Sequence, residues 1–425
     1  MNLLFIHDAF PAQFGQLGLE LVRQRGWQCT FLVQSLSSCP TPTPEMLQTL
    51  EIHQIPLAAE HRSSEGIPWP QIYGHYLEEC RKVHDAIRSN PRLRPDLVVA
   101  HGGRGAPSLF LREVVDCPIV NYCEYYFANQ RRDISYRIDL PPAEPAPFFP
   151  RCINAPTLVT LVDCDAGYSA TTWQKQSFPE RFHPKIEVHF DGIDTDLYRP
   201  GPALRQIGTT TIPPGMRIVT FVSRGLESIR GFDVFMKVAQ RIARERSDVL
   251  FVVAGGEEIH YGWDKLHTGS PSFKKWVLSR DEYDLSRFVF LGRILPERLA
   301  DLLRMSDLHI YLTAPFVLSW SMLDAMASGC VVLASDVPPV REVIEPGRNG
   351  LVEPLFDVER LTDTALLVLA DPAAFAPLGR AARQTIEEKY SLEVCIPPLG
   401  DFFQRVASQR ARALTAGTSG GQSHS

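Results

Sequence analysis

The sequence predicts an α/β protein built from two doubly wound, Rossmann-like domains, and three observations predict it. Short apolar runs alternate with segments of helical spacing. The alternation breaks near the middle of the chain and then restarts. The 425 residues exceed what one ordinary core organises and suit two domains of about 200 residues each.

In the first half, Leu3 to Ile6 predicts a buried strand, and Gly15 to Arg25 a helix with Leu17, Leu21 and Val22 at helical spacing. Cys29 to Val33, Asp96 to His101 and Pro118 to Tyr122 predict further strands. Short buried strands between helices imply a parallel sheet covered on both faces. In such sheets ligands bind at the carboxyl ends of the strands. His7-Asp8, His101-Gly-Gly and Glu124 stand at such ends. The run Leu140-Pro-Pro-Ala-Glu-Pro-Ala-Pro-Phe-Phe-Pro150 forbids regular helix and predicts a surface loop.

Pro200-Gly201-Pro202 and Pro213-Pro214-Gly215 predict the linker, with a first domain over 1–203 and a second over 204–390. The second repeats the pattern. Strands are expected at Arg217–Ser223, Val249–Ala254, Phe288–Leu291, Leu308–Leu312 and Val331–Ala334. Helices are expected at Phe232–Arg244, Pro296–Arg304 and Trp320–Ser328. The tail, 413–425, is small and polar and is expected to be disordered.

Composition excludes some classes of function. Hydrophobic residues at 44% and charged residues at 22% describe a globular, soluble chain. A net charge of -6 argues against general nucleic-acid binding, which needs a basic field. The nine cysteines are scattered with no CxxC pair, which points to a reducing compartment and a cytoplasmic protein. The N-terminus MNLLFIHDAF has no basic n-region, and no run reaches the roughly 20 apolar residues that span a bilayer. Peripheral contact at the inner membrane face stays open.

Three features of the second half carry chemistry. Phe221-Val-Ser-Arg-Gly-Leu-Glu-Ser-Ile-Arg-Gly-Phe232 puts Arg224 and Arg230 at a strand end and in the loop after it. Two guanidinium groups can each fork onto two oxygens of a diphosphate; surface arginines are the plainer alternative. Pro315-Phe-Val-Leu-Ser-Trp-Ser-Met-Leu-Asp-Ala-Met-Ala-Ser-Gly329 reads as loop, N-cap at Ser319, helix and C-cap. The amides of its first turn, at Trp320 and Ser321, would suit an anion, and Asp324 would suit ribose hydroxyls; an ordinary core helix is the alternative. Third come Val331 to Ile344, bearing Glu342, and the turn Glu345-Pro-Gly-Arg-Asn-Gly350.

The order of these elements resembles the family 4 retaining glycosyltransferases, whose fold is GT-B: two Rossmann-like domains facing a cleft. Phe190-Asp-Gly-Ile-Asp-Thr-Asp-Leu-Tyr-Arg-Pro200 resembles the segment that ends the family's first domain. Arg224 matches the family's donor-phosphate arginine, and Arg230 stands where lysine is usual. Asp324 to Gly329 matches the second half of the E-x7-E motif, with Asp324 for the second glutamate. Phe316 occupies the place of the first glutamate, which in the family contacts the donor sugar. Glu342 and Asn349-Gly350 match further positions, and His101 resembles the active-site histidine.

The resemblance implies metal-independent transfer of a sugar from a nucleotide-diphosphate sugar to a hydroxyl acceptor, with retention and with no cofactor. The acceptor would be a sugar, a lipid-linked glycan or a small molecule. Arg224, Arg230 and the Trp320 and Ser321 amides would stabilise the leaving diphosphate, and that phosphate would help deprotonate the acceptor. Gly15 would let the first loop approach the donor, while Glu124, His7 and Asp8 would meet the acceptor. The segment 391–412 would cross back to brace the first domain, and the domains would close on substrate. Two other readings use the same scaffold: a nucleotide-sugar epimerase or hydrolase, and a non-catalytic nucleotide-sugar-binding subunit, which Phe316 and Asp324 would favour.

Overall fold

The computed structural model describes residues 1–37, 40–55, 69–102, 108–128, 133, 136–140, 149–202, 205–208, 210–261 and 264–419. The interior of the expected proline-rich loop, Gly103 of the His-Gly-Gly turn and the tail beyond Ser419 lie outside the described residues. Two compact units form. The first comprises Met1–Phe127, Phe148–Gly192 and Glu393–Ser425; the second comprises Ala128–Pro147 and Ile193–Leu392. The division therefore falls at Gly192/Ile193, ahead of the proline-rich stretch, and a segment of the first half belongs to the second unit.

The first unit holds seven parallel strands: β1 (Asn2–Phe10), β2 (Gln28–Leu36), β3 (Glu51–Gln54), β4 (Leu97–His101), β5 (Ile119–Tyr122), β6 (Ala166–Ser169) and β7 (Ile186–Val188). Their order is β3-β2-β1-β4-β5-β6-β7. Leu4, Ile6, Val98, Ala100 and Ile119 pack in its core. The first helix runs Gly15–Arg25 and stops at Gly26, whose φ of 64° supplies the left-handed cap.

The C-terminal helix runs Leu392–Ser419. The helix therefore runs into the small, polar stretch that begins at 413, as far as Ser419. Arg405 bonds Glu187 at 2.6 and 2.8 Å, Arg25 bonds Asp401 at 2.6 Å, and the Phe402 and Phe403 rings lie against Tyr168. These contacts fix the helix within the first unit.

The second unit carries a small hairpin, β8 (Gln206–Ile207) with β9 (Thr210–Thr211), and a six-stranded parallel sheet. Its strands are β10 (Arg217–Gly225), β11 (Val249–Gly256), β12 (Phe288–Gly292), β13 (Leu308–Tyr311), β14 (Val332–Ser335) and β15 (Leu351–Glu353). Their order is β12-β11-β10-β13-β14-β15. Helix Phe232–Glu245 buries Phe232, Phe235, Ala239 and Ile242, a three-to-four-residue repeat, against Phe221 and Phe251. The strand order in each sheet reverses once, between β1 and β4 and between β10 and β13. Loops leaving a reversal diverge to opposite faces and leave a crevice.

Candidate functional site

The loop after β10 opens the crevice of the second unit. Arg224, the penultimate residue of β10, is exposed, and its side chain makes no hydrogen bond or ion pair among the described residues. Arg230 is the opposite case. Its guanidinium is buried, donates to the Val317 carbonyl at 2.8 Å and to Thr313 Oγ1 at 3.3 Å, and lies over the rings of Phe316 and Tyr261 at 5.7 and 5.8 Å. Gly231 follows at φ 65°; a Cβ there would sit 2.6 Å from that of Leu312. The strand end thus offers one arginine to solvent, and the loop after it builds one in.

Buried acids and one arginine fix this loop. Glu227 accepts from the backbone amides of His260 and Tyr261 at 2.7 and 3.0 Å. Burial pushes its carboxyl up to about 7, against the pull of those amides and of Arg230. Asp264 accepts from the amide of Ser228 at 2.7 Å and from its hydroxyl, and burial pushes it up to about 6. Arg137, contributed by the segment Ala128–Pro147, donates to the Ser228 carbonyl at 2.9 Å and pairs with both oxygens of Asp233 at 2.9 and 2.7 Å. Its guanidinium also pairs with Asp139, two residues on, but nothing in the spacing signals the brace, because Ser228 and Asp233 lie about ninety residues away.

After β13 the chain enters helix Trp320–Ala327. Ser319 caps it: its hydroxyl accepts from Ser321 N at 3.4 Å, while its own amide donates to the Tyr311 hydroxyl at 2.9 Å. Ser321 Oγ donates to the Val222 carbonyl at 3.1 Å, which ties the helix start to β10. Trp320 is 39% exposed at the first helical position. Asp324 is buried, and burial first, then the charge of Asp194, pushes its carboxyl well above the usual range.

Phe316 packs into the interior of the second unit. It is 1% exposed and packs edge-on to Tyr261, ring centroids 5.0 Å apart, beneath Arg230. Glu342 is exposed just past helix Pro338–Arg341, on the β14–β15 side of the sheet. Asn349 is a turn residue: it accepts from Glu345 N at 2.7 Å and donates to the Val343 carbonyl and Thr385 at 3.0 Å each.

Beside this loop lies a cleft of about 360 Å³ at the carboxyl ends of β11 and β12, lined by Gly255, Gly256, Glu257, Lys274, Phe290 and Arg293 among others. The Lys274 ammonium sits 4.3 Å from the Phe290 ring centre and bonds Glu257 at 3.0 Å. The sequence offered one signal for it, the pair Gly255-Gly256 closing an apolar strand.

The first unit's reversal carries a different set. His7 and His101, from β1 and β4, stand with ring centroids 5.2 Å apart and perpendicular. Asp8 is 2.5 Å from His7 Nδ1, and Glu124 is 3.5 Å from His101 Nε2. Burial lowers the pKa of His101, but the Glu124 carboxylate and then Asp8 outweigh it, so the net direction is upward. Asp191 is buried, accepts from Gln13 and is pushed up to about 7 by burial. The motif Phe190 to Pro200 did not single it out as a site residue. Gly15 opens the first helix with its amide on the Pro11 carbonyl at 2.7 Å, and a Cβ there would collide with Pro11. Its missing side chain therefore has a packing reason.

Known proteins share this architecture. A family model for the glycosyl transferase family 4 group matches residues 26–198, and one for glycosyl transferases group 1 matches 205–385. The D-inositol 3-phosphate glycosyltransferase of Gordonia bronchialis is 29% identical over 213 residues, covering 48% of this chain and 44% of that protein. The lipopolysaccharide core biosynthesis mannosyltransferase LpcC of Rhizobium leguminosarum bv. viciae is 27% identical, covering 53% of this chain and 60% of that protein. The chain thus spans about half the length of the curated relatives it matches. Among solved structures, sucrose-phosphate synthase from Thermosynechococcus elongatus superposes with a TM-score of 0.72 at 16% identity, covering 96% of this chain and 99% of that one. Anabaena HepE, solved with UDP and glucose, superposes with a TM-score of 0.63 at 13% identity, covering 98% of this chain and all of that one. With two matching models that follow one another along the sequence and two doubly wound sheets beneath them, the chain belongs to the family 4 glycosyltransferases of GT-B fold.

Proposed function

We propose that the chain is a retaining glycosyltransferase that moves a sugar from a nucleotide-diphosphate sugar to a hydroxyl acceptor in glycan or glycoconjugate biosynthesis. One observation carries the reading. Arg224 is exposed at the end of β10 and Arg230 is held rigid in the loop after it, and β10 is tied through Val222 and Ser321 to a capped helix start at the strand-order reversal. Converging guanidinium and amide donors suit charge that grows on a leaving diphosphate. They would neutralise it in place of a metal ion, so activity should survive a chelator.

His101, with Glu124 beside it, would serve the acceptor hydroxyl, and His7 and Asp8 would complete that pocket. Ser319, Trp320, Ser321 and Asp324 would hold the donor, with Gly15 and Glu342 at its margins. Phe316 serves it through Arg230. The relatives named above bear transferase and synthase names, and none supports the epimerase or hydrolase reading. HepE has been solved with UDP-glucose, which makes that compound the first donor to try. Among the described residues no single helix is long and apolar enough to cross a membrane, and we place the activity in the cytoplasm.

The test is calorimetry with a panel of nucleotide sugars, followed by product analysis with and without acceptor. Binding without turnover on any acceptor would favour the non-catalytic subunit. Binding unchanged in both Arg224→Ala and Arg230→Ala would sink the diphosphate grip.

A further inference from the structure

A second cluster of bases stands beside the loop after β10, and the resemblance to the family does not assign it. His260 lies in the segment after β11, and Arg293 lies just past β12. Arg293 NH2 is 3.1 Å from His260 Nε2. A guanidinium only donates, so Nε2 must be accepting and the imidazole must be neutral. Two glycines let the groups converge. A Cβ at Gly225 would sit 3.0 Å from the His260 ring and 2.5 Å from the Glu258 carbonyl oxygen. A Cβ at Gly256 would sit 2.8 Å from Arg293 Nε.

The half-buried imidazole is surrounded by charge. Arg224 faces it from the end of β10, Arg230 from the same loop, and Arg293 from beyond β12; Glu258, on its own segment, is the counter-charge. Glu227 holds its backbone amide at 2.7 Å. Burial, then Arg224 and Arg293, push the imidazole down to about 4. Three guanidinium groups surround one neutral histidine, with the Glu258 carboxylate 3.3 Å from Arg293, and both Glu258 and Arg293 line the adjoining cleft.

We propose that His260 and Arg293, together with Arg224, form an oxyanion seat in which His260 becomes a ligand only after taking up a proton. An anionic oxygen entering between them replaces Nε2 as the acceptor for Arg293. The freed lone pair takes a proton from solvent, and the imidazolium then donates to the anion. The chemical class of ligand is a phosphate or diphosphate ester. The inference rests on the diphosphate reading above for the natural ligand, but not for the seat itself.

The experiment follows the imidazole nitrogens by NMR across a pH titration, with His260 assigned by its loss in His260→Gln. Sulfate and UDP-glucose serve as probes because neither carries a group that titrates in this range. The free protein should show a midpoint well below that of an ordinary histidine. Saturating sulfate should raise it by about one pH unit or more, a tenfold gain in proton affinity. Arg293→Gln, an exposed position, should raise the midpoint of the free protein. An ordinary midpoint in the free protein, or one that sulfate leaves unmoved, overturns the seat. If UDP-glucose binds by calorimetry and the midpoint stays put, the seat fails while the diphosphate reading stands. If sulfate raises the midpoint and no nucleotide sugar binds, the seat stands and that reading fails.

Discussion

The crevices at β1/β4 and β10/β13 arise from the same topological event and carry opposite chemistry. Between β1 and β4 the chain places two histidines ring to ring, with Glu124 and Asp8 at their nitrogens and Asp191 buried nearby. Between β10 and β13 it places Arg224 and Arg230, with a capped helix start across from them. One set can move or hold protons at a hydroxyl; the other can hold negative charge. The sheet decides where a ligand can sit, and a few loop residues decide its sign. The two regions also differ in how they are supported: the arginine loop is braced by Arg137 with Asp233, while the histidines meet their acids, Glu124 and Asp8, directly.

That brace gives the largest expected effect. Arg137 is 3% exposed, and Arg137→Ala leaves the Ser228 carbonyl and Asp233 without their partner. Removing one member of a buried pair costs about 3–5 kcal/mol. Urea denaturation should show that loss. The double variant Arg137→Met, Asp233→Leu should recover part of it, since no buried charge is left unpaired; only the half-exposed Asp139 carboxylate and the Ser228 carbonyl still lose their Arg137 partner.

The division of labour comes next. His101→Asn should cut transfer by about 100-fold or more if the histidine handles a proton, and leave nucleotide-sugar binding unchanged. The arginines should behave in reverse. Arg224→Ala and Arg230→Ala should each weaken binding by about 1.5–3 kcal/mol, the range for hydrogen bonds to charged groups. They should differ in stability. Arg224 is exposed, so its loss should leave the melting temperature in place; Arg230 packs on two rings, so its loss should lower it. Equal melting temperatures would show that the aromatic packing does not hold Arg230.

Much of this was legible in the sequence for a local reason. Helices Gly15–Arg25 and Pro296–Arg304 begin and end where their spacing, caps and prolines say. The arginine loop and Ser319 are marked by glycines and by N-cap chemistry that act within a few residues. What stayed hidden depends on distant partners. The place of Arg137 is set by Asp233, that of His260 by Glu227 and Arg293, and that of Asp191 by Gln13. The burial of Phe316 is of the same kind: its ring is read as a sugar neighbour from motif position alone, and the Tyr261 ring that covers it comes from another strand end.

The smallest effect sets the two regions side by side again. Each holds a buried acid that is pushed up to about 7, Glu227 in the second unit and Asp191 in the first. A carboxyl raised in the folded state keeps a proton that the unfolded chain has already lost. Unfolding then releases a proton, so stability falls as pH rises from the unfolded value of 4.5 for Glu227 toward 7. Glu227→Gln stays neutral, and its carbonyl can still accept from His260 and Tyr261. Its urea midpoint should therefore drop less than the wild-type midpoint between mild acid and neutral pH. Asp191→Asn should flatten the same slope, and the two together should flatten it further, because the sites lie in separate units. If Glu227→Gln keeps the full wild-type slope, Glu227 is already ionised at mild acid, and the Tyr261 and His260 amides together with Arg230 outweigh its burial.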